Sequence, residues 1–155
     1  MTGRIEARLQ ELGITLPAPP KPVASYVPYT VSGNLVFISG QICATAQGAP
    51  IVGLVGDGIS LEQGKEAARL CAINLLAQLK AACGGDLDRV KRCLKLTVFV
   101  AAAAGFGGHP EVANGASDFL VEVFGEAGRH ARAAVGAATL PRGTTCEAEG
   151  IFEIA

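Results

Sequence analysis

Residues 60–100 read SLEQGKEAARLCAINLLAQLKAACGGDLDRVKRCLKLTVFV, and the order of patterns inside this stretch decides the fold class. Ser60 followed three residues later by Gln63 is a capping box, in which each side chain satisfies a backbone amide at a helix start. Ala68, Cys71, Leu75, Leu79 and Ala82 then recur at helical spacing, and Gly84-Gly85 ends the run. From Val90 to Val100 the period drops to two. Leu94, Leu96, Val98 and Val100 take one face, with Lys95 and Thr97 on the other. A long helix feeding a half-buried strand is the core unit of a domain that mixes the two.

Downstream, Pro110 opens a second amphipathic helix in which Val112, Ala116, Phe119, Leu120 and Val123 align before Gly125. Upstream, Gly33-Asn34 turns into the strand Leu35-Val36-Phe37-Ile38-Ser39, preceded by an extended Val23–Val31. Gly40 to Gly58 is a glycine-rich loop with room for one short strand, and it lacks the pattern of a phosphate loop. The C-terminal part reads as a hairpin, Ala131–Thr139 and Thr144–Ile154 around Leu140-Pro141-Arg142-Gly143. The resulting order, β-β-α-β-α-β-β, packs most economically as an α+β domain with two helices on one face of a mixed sheet. Ahead of it, Ile5, Leu9 and Leu12 mark a short helix capped by Thr2 and closed by Gly13. The proline-rich run 16–22 follows as a stiff connector, so 1–22 reads as an appendage and 23–155 as the domain.

Composition narrows the function. With 13 Lys and Arg against 14 Asp and Glu, the chain lacks the basic excess of a general nucleic-acid binder. Half of the residues are hydrophobic and 17% are charged, which excludes disorder and points to surface covered by other subunits. No apolar run approaches the ~20 residues of a membrane span, and the N-terminus reads as that of a cytoplasmic protein. Five cysteines, an odd number with no C-x-x-C pair, read as buried thiols in a reducing compartment, not as disulfides or a zinc site.

Arg132 is the sequence's one chemically odd residue. It sits on a strand among Ala131, Ala133 and Ala134, where small neighbours leave space around a guanidinium. It is either an ion-pair partner of Glu147 or Glu149 across the hairpin or a fork for a ligand carboxylate. A nearby carboxylate could then orient a water. His109 and His130 read as cap or surface residues, with no nucleophile elbow and no metal-ligand cluster around either.

Three segments together give the chain its relatives: Gly33-Asn34-Leu35-Val36-Phe37-Ile38-Ser39-Gly40-Gln41, Val112-Ala113-Asn114, and Ala131-Arg132 followed by Leu140-Pro141-Arg142-Gly143 and Glu147-Ala148-Glu149. In order and spacing they resemble the YjgF/RidA family of reactive-intermediate (enamine/imine) deaminases. The longer N-terminus resembles the branch labelled endoribonuclease L-PSP-like or translation-inhibitor-like. The resemblance implies a chorismate-mutase-like (bacillary type) fold, a homotrimer with a central barrel, and clefts between subunits. It implies hydrolysis of small 2-imino or enamine acids to 2-keto acids and ammonia, without metal or organic cofactor. Arg132 would bind the substrate carboxylate and Glu149 would position the water. Ser39, Gly40 and Asn114 would line the cleft, with Tyr26 at its mouth. Departures are Ala134 where cysteine is common, Gly128-Arg129-His130-Ala131 where proline is common, and Ser25-Tyr26-Val27-Pro28 in place of a proline-tyrosine-serine-glutamine stretch. Two other functions fit the same residues: a non-catalytic trimer that binds small carboxylates, and an RNA-cleaving or translation-inhibiting protein, against which the charge balance speaks.

Overall fold

The computed structural model describes every residue except Met1, Pro20 and Pro22, so the connector read at 16–22 lies partly outside the described residues. In chain order the elements are α1 (Arg4–Glu11), β1 (Tyr29–Ser32), β2 (Leu35–Ile42), β3 (Leu54–Val55), β4 (Gly58–Ile59), α2 (Leu61–Ala82), β5 (Val90–Ala101), α3 (His109–Phe124), β6 (Ala131–Ala137) and β7 (Cys146–Ile154). Five strands form one mixed sheet in the order β1-β2-β7-β5-β6, and β3 and β4 pair separately. The expected α+β class is therefore the observed one.

The capping box forms as read: Gln63 N donates to Ser60 Oγ at 3.1 Å and Ser60 N to Gln63 Oε1 at 2.8 Å. Helices α2 and α3 lie side by side on one face of the sheet. Leu75, Leu76 and Leu79 of α2, Phe119 and Leu120 of α3, and Leu96, Val98, Phe152 and Val36 of the sheet are all fully buried there. Each large side chain so buried contributes roughly 1.5–3 kcal/mol. Gly115 sets the helix spacing, because a Cβ at that position would run into the Lys65 carbonyl of α2. All five cysteines are free and buried, as their number and spacing suggested. Among the described residues no helix is long and apolar enough to cross a membrane.

Four expectations need correction. The C-terminal hairpin does not form: β5 lies between β6 and β7, parallel to β6 and antiparallel to β7. Helix α3 carries the chain from β5 over to β5's free edge, where β6 adds in parallel, while both edges of β7 are taken by β2 and β5. Leu94 does not continue the buried face of β5. A register shift between Cys93 and Lys95 gives that place to Cys93, which is fully buried. The run 23–31 is extended only from Tyr29; residues 24–26 bend. Finally, Thr2 does not cap α1. Gly3 occupies the cap without a side-chain bond, and the Asp88 carboxylate accepts from the amides of Arg4 and Ile5, both at 2.8 Å. That cap, the buried Ile5 and Leu9, and a 2.7 Å ion pair between Glu6 and Lys80 seat α1 on the domain.

Candidate functional site

The residues singled out by sequence fall into two groups on opposite faces of the sheet. Side chains alternate along a strand, so registered partners share a face. Arg132 is registered with Leu96, and Leu96 with Gly150, on the face that the helices cover. Glu147 is registered with Phe99 and Glu149 with Thr97, on the open face.

The first group is built around Arg132, half-buried on the edge strand β6. Asn114 and Ser117 stand three residues apart on α3 and therefore point the same way. Arg132 Nη1 donates to Asn114 Oδ1 at 2.8 Å and to Ser117 Oγ at 3.1 Å. Ser117 Oγ lies 2.9 Å from His130 Nε2, and His130 Nδ1 lies 2.6 Å from the Gly128 carbonyl oxygen. A carbonyl only accepts, so Nδ1 carries the proton and Nε2 accepts the serine hydroxyl. Burial, reinforced by the Arg132 charge and opposed by the Gly128 bond, keeps the His130 imidazole below its ordinary pKa and neutral. Both protons of Arg132 Nη1 are thus engaged. Its Nε and Nη2 have no protein partner among the described residues, and that edge is the one that grips a carboxylate with two parallel bonds.

The second group surrounds Glu147. A hollow of about 390 Å³ is lined by Tyr26, Gly40, Gln41, Gln78, Arg142 and Glu147 among others. Gly40 leaves room for the Glu147 carboxylate, which would have to shift if a Cβ stood there. The sheet opens at this point, where the β2–β7 register shifts between Ile38 and Gln41. Gln78, 2% exposed on α2, faces the hollow from beneath. Arg142 holds a left-handed backbone (φ 60°), the only described non-glycine residue with positive φ. Tyr26 stands at the rim, 57% exposed. Burial, and secondarily the Glu149 charge, hold the Glu147 carboxyl above its ordinary pKa.

Arg132 and Asn114 are brought together, as are Tyr26 and Gly40. Ser39 turns away from the hollow: its hydroxyl donates to the Val27 carbonyl at 2.7 Å and ties down the segment that carries Tyr26. Glu149 lies in a different, smaller hollow of about 160 Å³ with Phe37, Lys95, Thr97 and Ile151. Glu147, Ser117, His130 and Arg142 were not singled out by sequence as site residues. The alternation of β7 makes Glu147 and Glu149 equivalent, and only the bulge at Gly40 distinguishes them. His130 and Ser117 lie 13 positions apart, with no motif to link them.

Comparison with known proteins agrees with this architecture. The family model described as "YjgF/chorismate mutase-like, putative endoribonuclease" matches residues 6–153. Protein TCP17 of Trypanosoma cruzi is 46% identical over 154 residues, covering 99% of this chain and 96% of its own. The crystal structure of Atu1372, a protein of unknown function from Agrobacterium tumefaciens, is 48% identical with a TM-score of 0.90, covering 97% of this chain and 94% of that one. Escherichia coli TdcF, solved with bound serine, is 25% identical with a TM-score of 0.64, covering 89% and 94%.

Proposed function

Because the chain belongs to the YjgF/RidA (YjgF/chorismate-mutase-like) family, we propose that it hydrolyses small 2-imino acids to 2-keto acids and ammonia in clefts shared between subunits. The observation that carries this proposal is the free Nε–Nη2 edge of Arg132, a built receptor for one carboxylate. A 2-imino acid joins that carboxylate to an electrophilic C=N carbon, and TdcF, a structural neighbour, is solved with bound serine, a small amino acid of the same skeleton.

Glu147 is the better placed carboxylate to serve the water, and takes the role expected of Glu149. Burial makes it a stronger base than an ordinary carboxylate, which suits a group that must accept a proton from water. A water gives a proton to Glu147 as its oxygen bonds to the imine carbon. Starting from the protonated imine, that proton then passes to the carbinolamine nitrogen. The hydroxyl gives its remaining proton back to Glu147 as the C=O bond forms, the C–N bond breaks, and ammonia leaves with the electron pair. No electrons are exchanged with any other group. Holding the carboxylate, excluding bulk water and aligning one water supply the acceleration.

Arg132 and Glu147 cannot serve one molecule from a single chain, because they leave opposite faces of the sheet. A neighbouring copy must bring its Glu147 hollow to the Arg132 edge. Exposed apolar side chains on the open face support such an assembly: Phe37 and Val135 are 40% and 43% exposed in the single chain. The homotrimer is the assembly that the family resemblance suggests.

The test is imine hydrolysis in competition with semicarbazide. A threonine dehydratase generates 2-iminobutyrate, semicarbazide traps what is not hydrolysed first, and wild type is compared with Arg132→Ala. Less semicarbazone with wild type alone supports the proposal. Equal trapping across several side chains, with saturable binding of 2-ketobutyrate retained, replaces it by the carboxylate-binding module.

A further inference from the structure

We infer that His130 is a positioning residue for the carboxylate fork, acting through Ser117. The inference rests on the reading of Arg132 as that fork. A serine hydroxyl has one proton, and in mid-helix it commonly spends it on the carbonyl four residues back or on any acceptor in reach. Beside Arg132, a hydroxyl that turned its proton toward Nη1 would set donor against donor. His130 prevents this. Its Nδ1–H is committed to the Gly128 carbonyl at 2.6 Å, so Nε2 is a bare acceptor 2.9 Å from Ser117 Oγ.

The serine proton therefore points at the ring, and the oxygen lone pairs face Arg132 Nη1 at 3.1 Å. The bonds run one way, from Arg132 to Ser117 to His130 to Gly128. Asn114 Oδ1 takes the other Nη1 proton at 2.8 Å. With Nη1 saturated, the guanidinium cannot roll to present its Nη1–Nη2 end, and the Nε–Nη2 edge is what a ligand meets. Its strand neighbours Ala133 and Ala134 are small, and the bonds to Asn114 and Ser117 are what orient the guanidinium plane.

The experiment measures the affinity of the purified full-length protein for 2-ketobutyrate by calorimetry, together with histidine ¹⁵N NMR. The His130 spectrum is expected to show a protonated Nδ1 and an unprotonated Nε2. His130→Leu and Ser117→Ala each weaken binding about 5-fold, the worth of one ordinary hydrogen bond. The double variant also loses about 5-fold, because both changes cut the same chain. His130→Gln, whose amide oxygen can accept from Ser117, recovers most of the affinity. Should His130→Leu fail to fold, the ¹⁵N signature and the Gln variant decide. An Nε2-protonated ring overturns the inference. So does undiminished affinity in His130→Leu while Arg132→Ala loses binding, an outcome that leaves the fork itself intact. Binding retained in Arg132→Ala would overturn the fork and the inference together.

Discussion

Arg132 and Glu147 project from opposite faces of one sheet, the first registered with Leu96 on the helix-covered side and the second with Phe99 on the open side. The fork and the carboxylate are each assembled inside one chain, but they can act on one ligand only between two chains. The proposed function is therefore tied to assembly.

Arg132→Ala removes a charge-assisted fork worth about 2–4 kcal/mol, so kcat/KM on 2-imino acids should fall roughly 30- to 1,000-fold. Asn114 and Ser117 lose a donor but stay in place on α3. Steady-state kinetics on the purified variant, with an unchanged thermal midpoint, is the check.

Glu147→Gln should slow turnover far more than it weakens 2-ketobutyrate binding, while Glu149→Gln should leave most turnover intact. The stability effect runs the other way. A carboxyl whose folded pKa is raised contributes stability that is complete below its unfolded pKa and is lost as pH rises through the folded one. At neutral pH, Glu147→Gln should therefore melt at or above the wild-type temperature, which scanning calorimetry at pH 5 and pH 8 would show.

Asp88 ties α1 to the domain by accepting two backbone amides, and these bonds hold its carboxyl below the ordinary range. A lowered carboxylate pKa gives stability that is present above the unfolded value of about 3.9 and is lost as pH falls through the folded one. The protection factors of the Arg4 and Ile5 amides, exchange rates corrected for the intrinsic rate at each pH, should fall on acidification below pH 4. In Asp88→Asn they should already be low at pH 7.

Phe37 is registered with Ile151 on the open face and is 40% exposed in the single chain. In the proposed assembly Phe37→Asp places a charge in the contact between subunits, so the assembly should dissociate and activity should vanish. Light scattering would report a particle near the 15.8 kDa of one chain. Circular dichroism should be unchanged, since the helix-covered core does not include this side chain.

Much of the fold was legible because local signals agreed with one another. The Ser60–Gln63 box, the stripe through Leu75 and Leu79, and the alternation of Leu96, Val98 and Val100 all report which side faces the core. Partner choice between strands was not legible. The strands at 131–137 and 146–154 carry a turn between them and alternate as a hairpin would, and nothing local reveals that the edge of β5 captures β6. The same limit applies to the site. Arg132 stood out because alanines surround it, and the resemblance to YjgF/RidA proteins supplied Asn114, Gly40 and Tyr26. The choice between Glu147 and Glu149 depends on a bulge two strands' width from the arginine. The bond chain through Ser117 to His130 depends on how α3 lies over β6. The cap of α1 was missed for the same reason, because its acceptor is 84 positions away in sequence.

The most direct measurement mixes two inactive proteins. Arg132→Ala and Glu147→Gln are unfolded together in equal amounts, refolded and assayed for imine hydrolysis. If each cleft takes its fork from one subunit and its carboxylate from the next, random assembly restores about a quarter of the clefts and about a quarter of wild-type activity. Each variant refolded alone should remain inactive. A mixture of subunits, verified by native mass spectrometry, that shows no recovery would contradict a cleft shared between Arg132 of one copy and Glu147 of another.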